Sequence, residues 1–204
     1  MRSMSLLIGL LAAAGASAGQ FNDKLSVGDA APAWKNLPGI DGKKHSLADL
    51  KDSKAVVVVF TCNSCPTAID YEDRIIAFAK EHCAEGSGIA LVAINVNTID
   101  ADKPEKMKER AKEKGFNFPY LYDETQAIAK AFGARTTPEF FVLDAERKVA
   151  YMGALDDKND PKQAKVNHLA AGLAAAMAGK KADEGETLAR GCAIRFARPR
   201  RTDD

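Results

Sequence analysis

Ala55-Val56-Val57-Val58-Val59-Phe60 runs without a polar break into Thr61-Cys62-Asn63-Ser64-Cys65-Pro66. A β-branched run of this kind fits a strand covered on both faces, as in the middle of an α/β sheet. Pro66 suits the first turn of a helix, where its missing N–H costs nothing. The chain thus passes from a buried strand to a helix start through two cysteines. Unpaired backbone N–H groups and the positive end of the helix converge there, which is expected to favour the Cys62 thiolate and lower its pKa. Cys65 lies within disulfide reach, so Cys62 can attack a disulfide and Cys65 can resolve the mixed disulfide. A bond this local closes almost no loop and restrains the unfolded chain little, so the spacing argues for chemistry rather than architecture. Half of a zinc site is the competing reading. The chain holds no second C-x-x-C, and His45, His82 and His168 have no ligand spacing to the first.

Elements on either side extend the pattern. Gly39–Lys44 reads as a turn between two short strands, and Ser46 as the cap of a helical turn through Leu50. The helix after Pro66 is expected to run to Cys83, with Ile75, Ala79 and Cys83 facing the core beside Ile69 and Ile76. Ile89–Val96 is a second buried strand. Residues 102–114 form a charged helix with a solvated face, ended by Gly115, and Phe118–Tyr122 is short and extended. Asp123 with Gln126 resembles a capping box for a helix that turns Ala127, Ile128, Ala131 and Phe132 inward and stops at Gly133. Glu139–Leu143 and Lys148–Met152 read as an antiparallel hairpin, and Pro161 opens a last helix through Ala178. The order implies an α/β fold with a central mixed β-sheet flanked by helices and an N-terminal β-hairpin extension.

The N-terminus reads as a targeting segment. Arg2 precedes an apolar run from Leu6 to Ala16, and Ala16-Ser17-Ala18 is a small-x-small cleavage site. The run is short of the about 20 residues that span a bilayer. The expectation is a signal peptide over 1–18 cleaved after Ala18, and a periplasmic or extracellular protein that spans no membrane after cleavage. The body is one domain over 25–180, and 181–204 is a weakly structured tail. Among 204 residues, 29 basic and 28 acidic side chains leave a net charge of +1. Nothing in that balance points to nucleic acid or an anionic surface, and Arg195, Arg198, Arg200 and Arg201 read as a solvated end.

Thr136-Thr137-Pro138 precedes an apolar strand well after the C-x-x-C. Joined to that motif and the element order, it reads as a cis-proline loop. The Thr137 backbone is then free to pair with an extended substrate beside the disulfide.

On these residues the chain resembles the thioredoxin superfamily, and within it exported thioredoxin-like and redoxin proteins of the alkyl hydroperoxide reductase/thiol-specific antioxidant type. The likeness covers about residues 25–180. It rests on Cys62-Asn63-Ser64-Cys65-Pro66 after the Val run, on Thr137-Pro138, and on Gly28-Asp29-Ala30-Ala31-Pro32-Ala33-Trp34. One subgroup is similar through Lys108–Asp123 and a Gly-Cys-x-Ile element, here Gly191-Cys192-Ala193-Ile194. Thr61 stands where thioredoxin has Trp, Asn63-Ser64 where it has Gly-Pro, and Ala68 where many cytochrome-maturation relatives carry Glu. The resemblance implies dithiol–disulfide exchange by Cys62 and Cys65, with Thr137 and Pro138 presenting the substrate. It implies no metal and no cofactor, protein or small-molecule disulfide or dithiol substrates, an external electron donor or acceptor, and a monomer.

Two rival functions are weighed against this. Thr61 and Cys65-Pro66-Thr67 echo a peroxiredoxin-like peroxidase, but Thr61 lies four residues before Cys65, not three; Arg135 could support a thiolate. A copper-binding chaperone would use the two cysteines and His168, which reads more simply as a helix-boundary residue. Cys83 reads as a buried inert thiol. Cys192 is a surface thiol, a second resolving cysteine or a partner for Cys83. Asp70, Glu72, Asp73 and Arg74 read as a solvated face, one carboxylate of which could relay protons to Cys65.

Overall fold

The computed structural model describes residues 19–197. The expected signal peptide, 1–18, and Arg198, Arg200 and Arg201 lie outside the described residues. β1 (Leu37–Pro38) and β2 (Lys44–His45) pair antiparallel around the expected turn. Ser46 then heads a 3-10 turn over Leu47–Leu50, its N–H donating to the Asp49 carboxylate at 2.7 Å. β3 (Ala55–Thr61), α1 (Pro66–His82), β4 (Ile89–Asn95), α2 (Pro104–Lys114) and β5 (Tyr120–Tyr122) form the parallel half of the domain. α3 (Ala127–Phe132), β6 (Thr136–Thr137), β7 (Glu139–Leu143), β8 (Val149–Gly153), α4 (His168–Met177) and β9 (Cys192–Ala193) complete it.

The central sheet has the order β5-β4-β3-β7-β8, with β3, β4 and β5 parallel and β7 and β8 antiparallel. The Val run explains itself through the pleat, because successive side chains point to opposite faces. Ala55, Val57 and Val59 enter one core with Tyr71, Ile75 and Phe78 of α1, Met107 of α2, and Leu169 and Leu173 of α4. Val56, Val58 and Phe60 enter the other with Trp34, Leu47 and Phe132. Phe60, Phe132 and Phe141 meet edge to face there, centroids 5.1 to 5.7 Å apart. Each fully buried Val or Phe of β3 contributes about 1.5–3 kcal/mol. The strand that leads into the cysteines is therefore firmly held.

Several boundaries and faces differ from expectation. α1 stops at His82, with Cys83 as its cap. Its buried face is Ala68, Tyr71, Glu72, Ile75, Phe78 and Ala79, while Ile69 is exposed and Ile76 half-buried. The large rings of Tyr71 and Phe78 set which side faces the sheet. Glu72 is not solvated: it is buried, and Arg110 of α2 grips its carboxylate at 2.9 and 2.7 Å. Arg74 also turns in, onto Asp156 and the Tyr71 ring. The Asp123 carboxylate does cap α3, accepting from the N–H groups of Ala127, Ile128 and Ala129. Gln126 makes no capping box, because it sits at a positive φ of 59° and its side chain reaches elsewhere. Ala129 and Phe132 face the core; Ala127 and Ala131 are exposed. Pro161 lies in a turn, and the last helix begins only at His168, capped by Asn167 onto the Ala170 N–H at 2.9 Å. Within the described part of the expected tail, 181–197, β9 pairs antiparallel with β6, in the Gly191–Ile194 element that the sequence sets apart from the rest of the tail.

Candidate active site

β3 ends at Thr61 and α1 begins at Pro66, so Cys62–Cys65 occupy the turn between them at the carboxyl end of the parallel strands. Open α/β sheets bind ligands at that end. β7 is hydrogen-bonded to β3, which brings the loop before it alongside the turn. The Thr137–Pro138 bond is cis. Cys62, Cys65, Thr137 and Pro138 are thus brought together as expected. The Cys62 Sγ lies 3.2 Å from the Thr137 hydroxyl, and the Cys65 Sγ lies 3.1 Å from the Thr137 carbonyl oxygen.

The first turn of α1 serves Cys65, and Cys62 receives only the N–H of the N-cap residue, Cys65, as the smallest of the influences on it. Cys65 is the N-cap of α1, and its sulfur accepts from the Ala68 N–H at 3.4 Å. Cys62 is 3% exposed. Burial pushes its thiol up from the ordinary cysteine range; the Thr137 hydroxyl works the other way, and the Asp102 charge adds to the rise. The expected lowering at Cys62 is therefore reversed. The charge acting on this sulfur is the buried Asp102 carboxylate.

Asp102 was missed in the sequence. It ends a 3-10 turn over Asp100–Asp102 and is fully buried. Its carboxylate accepts from the Asn63 N–H at 2.6 Å, the Ser64 hydroxyl at 2.6 Å and the Asn95 amide at 3.1 Å. Tyr120 closes the network, donating to the Asn63 side-chain oxygen at 3.0 Å and accepting from the Asn95 amide at 3.1 Å. The two residues between the cysteines thus pin the motif to the segment after β4. The sequence signal for this was a set of polar residues, Asn95 at the end of a buried strand with Asn97 and Asp102 in the segment after it. Asp70 and Asp73 lie on the exposed side of α1.

The disulfide joins Cys65 to Cys192, with Cα atoms 5.9 Å apart, while Cys62 and Cys83 are free thiols. The expected Cys62–Cys65 bond is thus not the one formed, and Cys192 does not pair with Cys83. Cys62, Cys65 and Cys192 instead pack in one cluster with Ala68. Strand pairing explains the choice, because Cys192 stands opposite Thr137 in the β6–β9 register. Beside the disulfide runs a groove of about 350 Å³, whose lining includes Pro66, Asn97, Ile99 and Arg195. Cys83 is half-buried on the α1 core, which pushes its thiol up to about 11. His168 opens α4 and pairs with Glu184 at 2.9 Å.

A mixed sheet whose buried central strand delivers cysteines to a helix start, with the Thr137–Pro138 loop against both sulfurs, defines a thioredoxin-like thiol protein. The chain belongs to the Redoxin family, whose profile matches residues 26–169. It is 32% identical over 115 residues to a protein of Mycobacterium tuberculosis named "Putative peroxiredoxin". That alignment covers 54% of this chain and 66% of the relative, just under two thirds of its length. The crystal structure of a hypothetical protein from Sinorhizobium meliloti 1021 superposes with a TM-score of 0.79 at 33% identity, over 87% of this chain and 98% of that one. A thioredoxin family thiol:disulfide interchange protein from Chlorobium tepidum superposes with a TM-score of 0.52 at 26% identity, over 62% of this chain and 86% of that one. Thiol-based oxidoreductase or peroxidase chemistry is the general activity that this membership supports.

Proposed function

We propose that this protein is an exported thiol–disulfide oxidoreductase in which Cys62 attacks and Cys65 resolves. The observation that carries the reading is the contact of both sulfurs with one residue, Thr137, at 3.2 and 3.1 Å. Cys62 thiolate attacks a substrate disulfide, forming a mixed disulfide and releasing one substrate thiolate. Cys65 thiolate, held by the Ala68 N–H, then attacks the Cys62 sulfur and releases the second. An outside dithiol resets the site. Export belongs to the same reading, on the strength of the residue 1–18 pattern, and recovery of protein beginning at Gly19 from the extracytoplasmic fraction tests it. The exchange itself is tested by reduction of insulin disulfides. Cys62→Ser is expected to lose about 10²-fold or more in rate. Cys65→Ser should accumulate a mixed disulfide on Cys62. Wild-type turnover by Cys62→Ser sinks the reading.

One observation favours a second reading. Cys65 sits at the helix N-cap and is bonded to Cys192. In a peroxidase, Cys65 thiolate would attack a hydroperoxide, leaving sulfenic acid on Cys65 and releasing the alcohol or water. The Cys192 thiol would then condense with it, forming the disulfide and expelling water. That route does not need Cys62, so peroxide consumption by Cys62→Ser separates the two.

A further inference from the structure

The segment after α4 is fastened on both sides of Cys192. Upstream, the Glu186 carboxylate accepts from the backbone N–H groups of Gln20, Phe21 and Asn22 at 2.7, 2.6 and 2.8 Å. The Thr187 N–H donates to the Met152 carbonyl of β8 at 3.0 Å. Downstream, Ile194 is buried and its N–H donates to the Arg135 carbonyl at 2.9 Å. The Gln126 side chain donates to the Arg195 carbonyl at 3.1 Å and accepts from the Ala197 N–H at 2.8 Å. That clamp is where the side chain missing from the α3 cap has gone. A Cβ at Gly191 would overlap the Thr137 carbonyl oxygen, so the arm reaches this depth only because residue 191 is glycine.

The edge that the arm covers is the one expected to receive an extended substrate. β9 lies antiparallel along Thr136–Thr137, and Cys192 arrives opposite Thr137 as a substrate cysteine would, already bonded to Cys65. Cys62, the displaced partner, remains a thiol in the same cluster.

We propose that Cys192 is a third redox-active cysteine, which takes Cys65 over from Cys62 after each substrate turnover, and that its strand then closes the substrate edge. The proposal rests on Cys62–Cys65 exchange being the chemistry of the site. In this step Cys192 thiolate attacks the Cys65 sulfur. The Cys65–Cys192 bond forms and the Cys62–Cys65 bond breaks. The electron pair leaves on the Cys62 sulfur, which takes up the proton that Cys192 gave up. One disulfide and one thiol enter and one of each leaves, so no outside oxidant is consumed. Burial favours Cys62 as a thiol against Thr137, which slows the reverse attack. Resetting begins at the half-buried Cys192 sulfur, beside the groove. An outside dithiol attacks there and expels Cys65 thiolate, the leaving group stabilised by the α1 terminus; the donor's second thiolate then attacks the donor sulfur of the mixed disulfide, closing the donor's own disulfide and releasing Cys192 as a thiolate. The arm, no longer covalently held, then uncovers the Thr137 edge.

The test mixes fully reduced protein with one equivalent of oxidised glutathione, quenches with acid at intervals, and maps disulfides by mass spectrometry. A Cys62–Cys65 species is expected early, giving way to Cys65–Cys192 with Cys62 alkylated. Cys192→Ser should halt at Cys62–Cys65. Gly191→Val should slow closure of Cys65–Cys192 by about tenfold or more, because the arm can no longer seat. Wild-type protein that stops at Cys62–Cys65, with Cys192 alkylated throughout, overturns the relay and leaves the proposed function standing. Cys62→Ser that reacts at the wild-type rate and passes straight to Cys65–Cys192 overturns the attacking role of Cys62, and the relay with it.

Discussion

Cys62 shows how the single N–H of an N-cap residue differs from the N–H groups of a helix's first turn. The terminus begins at Cys65, and the Ala68 N–H goes to the Cys65 sulfur. Cys62 has the Thr137 and Ser64 hydroxyls, at 3.2 and 3.8 Å, the opposing charge of Asp102 and, as the smallest influence, the N–H of the N-cap residue Cys65. Burial outweighs the hydroxyls, so the Cys62 pKa in the oxidised protein lies above the ordinary cysteine value. The sign follows from linkage: a thiol raised in the folded state contributes stability that is full below its ordinary pKa and is lost as pH rises from there through the raised folded-state value. Titration of thiolate ultraviolet absorbance in a Cys83→Ser background, with Cys65–Cys192 intact, should place the Cys62 midpoint above that of free cysteine. Asp102→Asn should lower the midpoint and Thr137→Val should raise it. A midpoint below free cysteine would show that the helix field reaches Cys62 after all.

Between elements, the decisive contact is charged. α1 and α2 meet through the buried Glu72 carboxylate and the Arg110 guanidinium, with Lys114 3.9 Å from the same carboxylate. Arg110→Leu takes both hydrogen bonds from the buried carboxylate, with Lys114 left as a cation 3.9 Å away, and should cost about 3 kcal/mol in denaturant unfolding. Glu72→Leu combined with Arg110→Leu should recover most of that, because no uncompensated ion then remains. Equal losses in the single and double variants would mean the carboxylate is solvated. The same pair marks where sequence reasoning ran out. The β3–α1 junction, the Thr137–Pro138 loop and the β7–β8 hairpin were legible because local pattern and turn chemistry dictate them. The roles of Glu72 and Asp102 were not. Each depends on which element the topology packs against it, and a charged residue on a helical repeat looks solvated until that neighbour is known. Cys192 was illegible for the same reason: its partner is fixed by the β6–β9 register, which no short-range pattern encodes.

Across the whole molecule, the Cys65–Cys192 bond ties the end of the chain to its centre, across a sequence separation of 127. A cross-link this long removes far more freedom from the unfolded chain than one between Cys62 and Cys65. Chain-entropy reasoning gives an upper figure of about 5 kcal/mol, and native disulfides usually deliver about 2–4 kcal/mol. The noncovalent clamps at Glu186 and Gln126 keep the two ends of the segment in place in either redox state while β9 between them is released, so mainly the entropic part should vanish on reduction. Thermal unfolding should therefore fall by at least about 4 °C in dithiothreitol, since 1 kcal/mol moves Tm by about 2–4 °C in a domain of this size. Cys192→Ser should match the reduced wild type and respond little to the reductant. If the relay operates, the coupling runs both ways, because the oxidised molecule is then both the more stable form and the one whose substrate edge is covered. An oxidised and a reduced protein that melt together would mean that the arm's clamps alone restrain the chain, and that closing the disulfide adds nothing to the fold.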